Sequence, residues 1–184
     1  MTNDDVALKH HDGQEAESLL EELCDAYADA YGVEPGEAKT AAFRRRAKKQ
    51  FTRPGFALAT AREGGQLIGF VFGYTLPAGD THWWGGVQPE PTADFLQETG
   101  SRTWVLSEIE VRRAWQGKGK GRALHDAVLG ARGEERAALA TGPDAAAQPV
   151  YESWGWRRVG RIPGDEGDFY SAYDLFVLEL PVNR

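Results

Sequence analysis

The sequence predicts one domain of the α/β (or α+β) class over residues 1–184. Some segments alternate apolar and polar residues, as strands do, whereas others repeat apolar residues every three or four positions, as helices do. In the middle of the chain a strand, a glycine-rich loop, a helix and a second strand follow one another, an order typical of helices packed on a sheet. The 184 residues, of which 41% are hydrophobic, suffice for one such domain with its own core.

The N-terminal part of the chain predicts a strand, two helices and a β-hairpin. Leu19, Leu23 and Tyr27 fall on one helical stripe, and Gly32 provides a stop. Two strand-like segments flank Glu63-Gly64-Gly65, which fits a tight hairpin turn. The predicted elements are a strand at 6–9, helices at 12–31 and 37–51, and hairpin strands at 56–61 and 66–74.

A long polar connection, 77–101, follows the hairpin and is interrupted by three prolines. Its adjacent tryptophans, Trp83 and Trp84, have two interpretations. The rings cap the edge of a core, which we favour, or they form a wall of a substrate site.

The alternation of apolar and polar residues shifts by one position within the strand predicted at 104–111. Trp104 and Leu106 share one face, whereas Ile109 and Val111 have the opposite parity. We therefore expect a β-bulge near Ser107-Glu108; the alternative is a strand buried on both faces. The remaining predicted elements are a glycine-rich loop at 117–121, a helix at 122–129, a strand at 137–141, a helix from near Gln148 to near Trp154, and strands at 156–162 and 173–180.

The composition excludes several classes of protein. A net charge of −7 and a pI near 5.2 argue against non-specific nucleic-acid binding. The single cysteine, Cys24, permits no intrachain disulfide or cysteine-rich zinc site, and we expect it to fill the core. The histidines lack metal-ligand spacing, and His125 is expected at the surface. No apolar run reaches the ~18 residues of a membrane span, and the acidic start does not resemble a signal peptide. We expect a cytoplasmic protein without metal, membrane or nucleic-acid partners; a homodimer stays open.

The charge is unevenly distributed along the chain. Residues 1–37 contain eleven acids and one base, a net charge of −10, whereas the rest has a net charge of +3. The simpler interpretation is an acidic helix face exposed to solvent, and the alternative is an electrostatic field that serves the function. Positive charge is concentrated between Arg112 and Arg122, where five bases occur.

The glycine-rich loop is predicted to hold a phosphate-bearing ligand. Alternating glycines let backbone N–H groups approach a ligand, and the following helix adds the partial positive charge of its N-terminus. The spacing fits neither a P-loop nor the G-x-G-x-x-G of a dinucleotide site. The candidate contacts are Gln116, Gly117, Lys118, Gly119, Lys120, Gly121 and Arg122.

Two motifs in the second half of the chain carry a resemblance to a known family. Residues 116–121 fit the pattern Q/R-x-x-G-x-G/A, and Ala147, Tyr151 and Gly155 fit N-x-x-A-x-x-x-Y-x-x-x-G-F. Both motifs, at this separation, resemble the GNAT superfamily of acetyl-CoA-dependent N-acetyltransferases.

Two positions depart from the second motif. Asp144 stands where Asn is usual in the family, and Trp156 stands where Phe is usual. Asp144 lacks the amide donor of asparagine, whereas Trp156 keeps a large apolar anchor.

The resemblance implies a fold and a ligand. The fold is a mixed, mostly antiparallel central sheet of about seven strands, splayed between strands four and five and flanked by about four helices, with a cofactor core at about 104–156. Acetyl-CoA is the acyl donor, with its pyrophosphate in the glycine-rich loop and no metal. Its pantetheine arm is expected to contact Ile109, Glu110, Val111 and Asp144.

The resemblance and the chemistry of acyl transfer select the catalytic candidates. The amine must lose a proton and the departing thiolate must gain one. Glu108 is the candidate base, because desolvation in an apolar strand raises a carboxyl pKa; the alternative is a rim carboxylate paired with Arg102 or Arg112. Glu110 is the second candidate and is expected to pair with the basic loop. Tyr151 resembles the family's tyrosine that protonates the thiolate; the alternative is a buried tyrosine with a satisfied hydroxyl.

We therefore expect an N-acetyltransferase that moves an acetyl group from acetyl-CoA to a primary amine, by direct transfer in a ternary complex. Acids in the connection 77–101 and in the loop 163–171 can attract a cationic amine, although solvated loops are the simpler interpretation. The alternative function is a non-catalytic acyl-CoA-binding sensor with the same fold.

Overall fold

The computed structural model describes residues 6–182. Within them the chain forms seven strands and six α-helices, and each predicted strand is present. The elements are β1 (Ala7–His11), α1 (Gly13–Ser18), α2 (Leu20–Tyr31), α3 (Ala38–Phe51), β2 (Ala57–Glu63), β3 (Gln66–Thr75), α4 (Ala93–Leu96), β4 (Thr103–Val111), α5 (Lys120–Gly130), β5 (Arg136–Thr141), α6 (Gln148–Ser153), β6 (Arg157–Pro163) and β7 (Ala172–Glu179).

The helix predicted at 12–31 is divided in two. Asp12 and Glu15 form a capping box at the start of α1, in which each side chain accepts from the other's backbone N–H. Leu19 forms the corner between α1 and α2, and Gly32 ends α2 with a left-handed φ of 65°. Because the apolar spacing continues across Leu19, the pattern alone contains no sign of this corner.

The strands form one sheet in the order β1-β2-β3-β4-β5-β7-β6. The pair β4–β5 is parallel, and the pairs β1–β2, β2–β3, β5–β7 and β6–β7 are antiparallel. Gly64 and Gly65 form the β2–β3 turn, with φ of 56° and 83°, as a two-residue hairpin turn requires. The mixed, mostly antiparallel sheet is confirmed, while the splay between β4 and β5 stays a prediction.

The chain divides into two compact units. Among the described residues, the N-terminal unit comprises the chain up to Tyr74 together with Leu106–Ala131, and the C-terminal unit comprises Thr75–Val105 and the chain from Arg132 onward. No helix within residues 6–182 has the length and apolar character needed to cross a bilayer.

The N-terminal unit packs helices on one face of β3 and α5 on the other. Tyr27 of α2 stacks on Phe43 of α3 at 4.2 Å between ring centres, and Phe43 contacts Phe70 of β3. On the opposite face, a Cβ on Gly69 would lie 2.9 Å from the carbonyl oxygen of Glu110 and 3.0 Å from Cδ1 of Leu124. Glycine at position 69 therefore lets β4 and α5 pack closely against β3.

The C-terminal unit packs the long connection on one face of its strands. Trp84 and Val87 lie in a buried cluster with Ala138 of β5 and Leu175 of β7. Trp84 is 3% exposed, so the prediction that this ring caps a core edge is confirmed. Asp174 precedes Leu175 in β7, and adjacent residues of a strand point to opposite faces. The Asp174 carboxylate therefore lies on the other face of β7, where it accepts a hydrogen bond from Gln148 of α6.

A buried network anchors the connection to β4 and β5. The Glu98 carboxylate accepts hydrogen bonds from Trp84 Nε1 (3.0 Å), the Thr103 hydroxyl (2.7 Å) and the Arg136 guanidinium (2.9 Å). Because an uncompensated buried charge is unfavourable, these contacts fix the end of the connection.

The first half of β4 is buried on both faces. Trp104, Val105 and Leu106 are consecutive and each is at most 4% exposed. This agrees with the alternative to a bulge, and the bulge near Ser107-Glu108 stays a prediction.

Candidate functional site

The glycine-rich loop leads directly into α5. After β4 comes a single 3-10 turn at Arg113–Trp115, and then Gly117 and Gly119 adopt left-handed φ values of 71° and 76°. Gly119 is the N-cap of α5, no side chain caps this end, and the first turn contains no acid. The N-cap glycine has no side chain to occupy the first amides of α5, and a helix N-terminus favours anions.

Side chains on either side of the loop tie it to the sheet. The Gln116 amide donates to the Val111 carbonyl (2.8 Å), and the Trp115 Nε1 donates to the Glu63 carboxylate (2.6 Å). Arg112 Nε donates to the Leu67 carbonyl at 2.6 Å. The side chains of Gln116 and Arg112 thus position the loop.

Three of the five bases of the loop region form ion pairs. Arg113 lies 3.8 Å from Asp29, Lys120 lies 3.9 Å from Glu63, and Arg122 lies 3.0 Å from Asp126. Lys118 is exposed and has no ion pair within residues 6–182. The net positive field of the loop is therefore smaller than the count of bases suggests.

The register of β4 decides which backbone groups face away from β3. The Arg112 N–H donates to the Ile68 carbonyl at 2.8 Å. Because backbone groups alternate in direction along an antiparallel strand, those of Glu110 point to β3, whereas those of Ile109 and Val111 point to the other edge. Among the three β4 residues predicted to contact pantetheine, Ile109 and Val111 have this outward direction.

The side chains of Glu108 and Glu110 lie on the face of β4 that meets α2 and α3. Arg46 Nη2 of α3 lies 2.6 Å from Glu108 Oε1, and Tyr31 of α2 is a neighbour of the Glu110 carboxyl that lowers its pKa. The alternative pairing of Glu108 with Arg102 or Arg112 was wrong, because its partner is Arg46. The expected pairing of Glu110 with the basic loop was also wrong, since the groups that act on it are Glu108, Tyr31, Lys39 and Arg46. Arg46 is 62 residues away in sequence, so local spacing contains no sign of this contact.

Burial raises the pKa of both carboxyl groups. The pKa of Glu110 rises to about 8, because of burial and the charge of Glu108, although the Tyr31 hydrogen bond offsets part of this. The pKa of Glu108 is also raised by burial, which outweighs the nearby charge of Arg46. Both side chains lie on one face of β4, and the charge of Glu108 adds to burial in raising the pKa of Glu110.

A lysine and two tyrosines complete this group of side chains. Lys39 Nζ lies 3.7 Å above the centre of the Tyr31 ring, and the Tyr27 and Tyr31 rings are 4.7 Å apart. Sequence reasoning missed Lys39, Tyr27, Tyr31 and Arg46 as site residues. We name the six side chains the carboxylate cluster, which consists of Tyr27, Tyr31, Lys39, Arg46, Glu108 and Glu110.

Tyr151 lies in α6 of the C-terminal unit and is half-buried. Its ring meets Trp154 and Trp156 edge-on, at 6.0 and 6.3 Å between centres. The Trp156 N–H donates to the Tyr151 carbonyl, and Trp156 is 3% exposed, as expected for an apolar anchor. These contacts fix the tyrosine at the end of α6.

Asp144 is exposed and precedes α6 without capping it. The N-cap of α6 is Ala147, and the helix begins at Gln148, which confirms the expected start. Asp144 lines an open cavity of about 360 Å³ together with Gln148 and Glu152. The Gln148 amide donates to the Gly142 carbonyl and to the Asp174 carboxylate, so the start of α6 is held by β7 and by the residue that follows β5.

Two further expectations concern Cys24 and His125. Cys24 is 2% exposed and its pKa is raised by burial, which confirms its predicted place in the core. His125 was expected at the surface, and this was wrong: it is fully buried in α5 and lies 2.8 Å from Asp126. Within residues 6–182 no group of three His, Cys, Asp or Glu side chains is arranged to hold a metal.

The predicted site residues thus fall in both units. The N-terminal unit contains Glu108–Val111 and the loop 116–122, and the C-terminal unit contains Asp144 and Tyr151.

Three solved structures are similar to this one in fold. A GNAT-family acetyltransferase from Bacillus cereus has a TM-score of 0.59 at 17% identity, over 95% of this chain and 97% of that chain. The ribosomal-protein-S18-alanine N-acetyltransferase of Escherichia coli has a TM-score of 0.61 at 16% identity, over 98% and 97%. An aminoglycoside 6′-N-acetyltransferase complexed with coenzyme A has a TM-score of 0.64 at 14% identity, over 97% and 99%.

Sequence comparison identifies the family. No curated protein matches the chain, but the profile of the Acetyltransferase (GNAT) family matches residues 16–156. That match covers well over half of the chain and includes β4, the glycine-rich loop and Tyr151. The protein therefore belongs to the GNAT acetyltransferase family.

Proposed function

We propose that the protein is an acetyl-CoA-dependent N-acetyltransferase that acts on a primary amine of a small molecule or peptide. One observation carries the proposal. In a chain of the GNAT family, β4 leads through two left-handed glycines, Gly117 and Gly119, into the uncapped N-terminus of α5. Such a backbone arrangement suits a pyrophosphate.

Acetyl-CoA supplies an acetyl group that is activated as a thioester. The first amides of α5 and the exposed Lys118 suit its pyrophosphate. The backbone groups of Ile109 and the N–H of Val111, which point away from β3, suit the amides of its pantetheine arm. The Ile109 N–H is the candidate oxyanion donor.

Glu108 is the proposed proton acceptor. The charge of Arg46 favours the ionised form of Glu108. Burial of Glu108 makes its carboxylate more basic than an exposed one. A base is most effective when its pKa lies near the working pH. Glu110, on the same face of β4, is the second candidate.

Tyr151 is the proposed proton donor to the departing thiolate. Its position between Trp154 and Trp156 restricts the ring, and a phenol can donate a proton as the thiolate leaves.

Transfer is proposed to be direct, in a ternary complex. Cys24 is buried and its pKa is raised. A thiol in this environment is a poor nucleophile, because the thiolate is the reactive form.

The test measures thiol release from acetyl-CoA with a panel of amines. Glu108→Gln and Tyr151→Phe should each lower kcat by about 10²-fold, with unchanged coenzyme A affinity. Wild-type activity towards none of the amines, in protein that binds coenzyme A, would contradict the proposal.

A matched pair of glycine variants tests the donor site. Gly119→Asp places a carboxylate before α5 and should abolish coenzyme A binding in calorimetry. Gly79→Asp is the control, because Gly79 also has a left-handed φ and open space where a Cβ would lie, but belongs to the connection 77–101. Equal coenzyme A affinities in the two variants would overturn the site assignment.

A non-catalytic acyl-CoA sensor is the second candidate function. It is favoured by Asp144, which stands where the family usually has Asn. Binding of acetyl-CoA without thiol release, unaffected by Glu108→Gln or Tyr151→Phe, would identify the sensor.

A further inference from the structure

The segment from α3 to β2 is strongly basic. Residues 38–62 contain eight bases and no acid, in a protein whose net charge is −7. Five of these bases contact an acid or an aromatic ring of the N-terminal unit, namely Lys39, Arg44, Arg46, Arg53 and Arg62. The other three, Arg45, Lys48 and Lys49, are exposed, and none of them forms an ion pair within residues 6–182.

These three side chains share one face of α3, which we name the basic face. Residues three and four apart are neighbours on a helix surface, so Arg45 lies beside both Lys48 and Lys49. The opposite face of α3 is buried in the core through Phe43 and Phe51. The basic face therefore points to solvent, and its three charges lie within about 6 Å along the helix axis.

Repulsion within the basic face opposes the stability of α3. Like charges three or four residues apart on a helix destabilise it. The helix dipole favours cations at Lys48 and Lys49, which lie in the last turn, but Arg45 lies one turn earlier. Glu21 of the adjacent helix α2 is already bound to Arg44. Carboxylates from another molecule would relieve this repulsion.

The surroundings of the basic face favour an acidic polypeptide over a membrane or a nucleic acid. The strongly exposed apolar side chains of residues 6–182 lie outside α3, whereas a helix that binds a bilayer surface inserts apolar side chains. Binding of nucleic acid needs many phosphate contacts, and the net charge of −7 opposes it. Three bases within about one turn match instead the acids of one short segment, because acids three or four residues apart on a helix have the same spacing.

We propose that the basic face of α3 binds an acidic segment of a partner protein, whose Asp and Glu side chains pair with Arg45, Lys48 and Lys49. The interaction goes beyond acetyl transfer, since the proposed donor site and proton acceptor do not include these three side chains. Charge-assisted hydrogen bonds to carboxylates supply the attraction. Because the three cations are exposed, salt weakens the complex.

The test measures binding of a labelled, N-acetylated oligoglutamate peptide to the full chain at low salt, by fluorescence anisotropy. The blocked N-terminus offers no amine for acetyl transfer. Arg45→Glu/Lys49→Glu should weaken binding by about tenfold, and Arg45→Gln/Lys49→Gln should weaken it less. Lys9→Glu/Arg157→Glu is the control, because it makes the same change in net charge at exposed positions of β1 and β6. This control should bind the peptide nearly as tightly as the wild type.

Several outcomes would overturn the proposal. One is an equal loss of affinity in the two charge-reversed double variants, which would show that only net charge matters. Another is a wild type that binds oligoglutamate no more tightly than oligoglutamine of the same length. Tighter binding to an oligothymidylate of equal charge, or to phosphatidylserine vesicles, would assign the basic face to a nucleic acid or a membrane instead. A wild-type dimer in sedimentation that Arg45→Glu/Lys49→Glu abolishes would identify a second copy of this chain as the occupant.

Discussion

Asp174 in the C-terminal unit and Glu108 in the N-terminal unit are both carboxylates beside arginines, yet their pKa values shift in opposite directions. Burial raises the pKa of Asp174, but hydrogen bonds from Arg161, Arg158 and Gln148 outweigh it and hold the pKa well below its usual range. Four charge-assisted or amide contacts on one carboxylate make it a permanent anion.

Glu108 has fewer donors and a competing acid. Arg46 is its one ion-pair partner within residues 6–182, and Glu110 lies on the same face of β4. Desolvation therefore dominates, and the pKa rises. The number of donors around a buried carboxylate thus decides whether it is a fixed anchor or a group able to exchange a proton.

The largest effect is expected at the fixed anchor. Asp174→Asn should lower the free energy of unfolding by about 3 kcal/mol, because a neutral amide replaces a buried carboxylate that accepts four hydrogen bonds, three of them from arginines. The lowered pKa contributes stability that is complete above the ordinary value of 3.8 and is lost as the pH falls below it. Denaturant unfolding at about pH 7 and pH 3 should show this difference shrinking in acid; a pH-independent difference would contradict the anchor role.

A smaller effect is expected on catalysis when Glu108 loses its partner. Arg46→Met should raise the pKa of the carboxylate pair further, so that kcat at pH 7 falls by about tenfold and the pH–rate midpoint moves to higher pH. Arg45→Met is the control, since Arg45 is exposed on the same helix. Equal pH–rate profiles for the two variants would show that Arg46 does not tune the base.

The smallest effect is expected on stability at Glu110. Its pKa is raised from 4.5 to about 8, so the folded state holds a proton that the unfolded state releases between these values. The free energy of unfolding therefore falls as the pH rises through this range. Glu110→Gln should be more stable than the wild type by about 1–2 kcal/mol at pH 9 and no more stable at pH 4.

An exposed carboxylate provides the comparison for that experiment. Glu17→Gln, on the exposed surface of α1, should leave the difference between the two pH values unchanged. If the free energy of unfolding of Glu110→Gln depends on pH in the same way as that of the wild type, the pKa of Glu110 is not raised.

The strands and the donor loop could be predicted because their patterns are local. Gly64-Gly65 fixes a hairpin, and the predicted glycine-rich loop is present, with left-handed φ values at Gly117 and Gly119. Pro149 correctly limits α6 to a start at Gln148. In contrast, the corner at Leu19 interrupts no apolar spacing and was missed.

The uneven charge also has a tertiary explanation. Several acids of the first 37 residues pair with bases from later segments: Glu21 with Arg44, Glu22 with Arg62, and Asp29 with Arg113. Exposed pairs of this kind contribute little stability, which agrees with the simpler interpretation of a solvated acidic face.

The family resemblance, the strand positions and the candidate carboxylates Glu108 and Glu110 follow from the amino-acid order alone, because each depends on residues close together in the chain. The electrostatics of those carboxylates depend instead on the folded arrangement. Their partners Arg46 and Tyr31 arrive from α3 and α2, more than sixty residues away in the case of Arg46. A pKa depends on burial and on the charges nearby in space, and neither quantity follows from spacing along the chain.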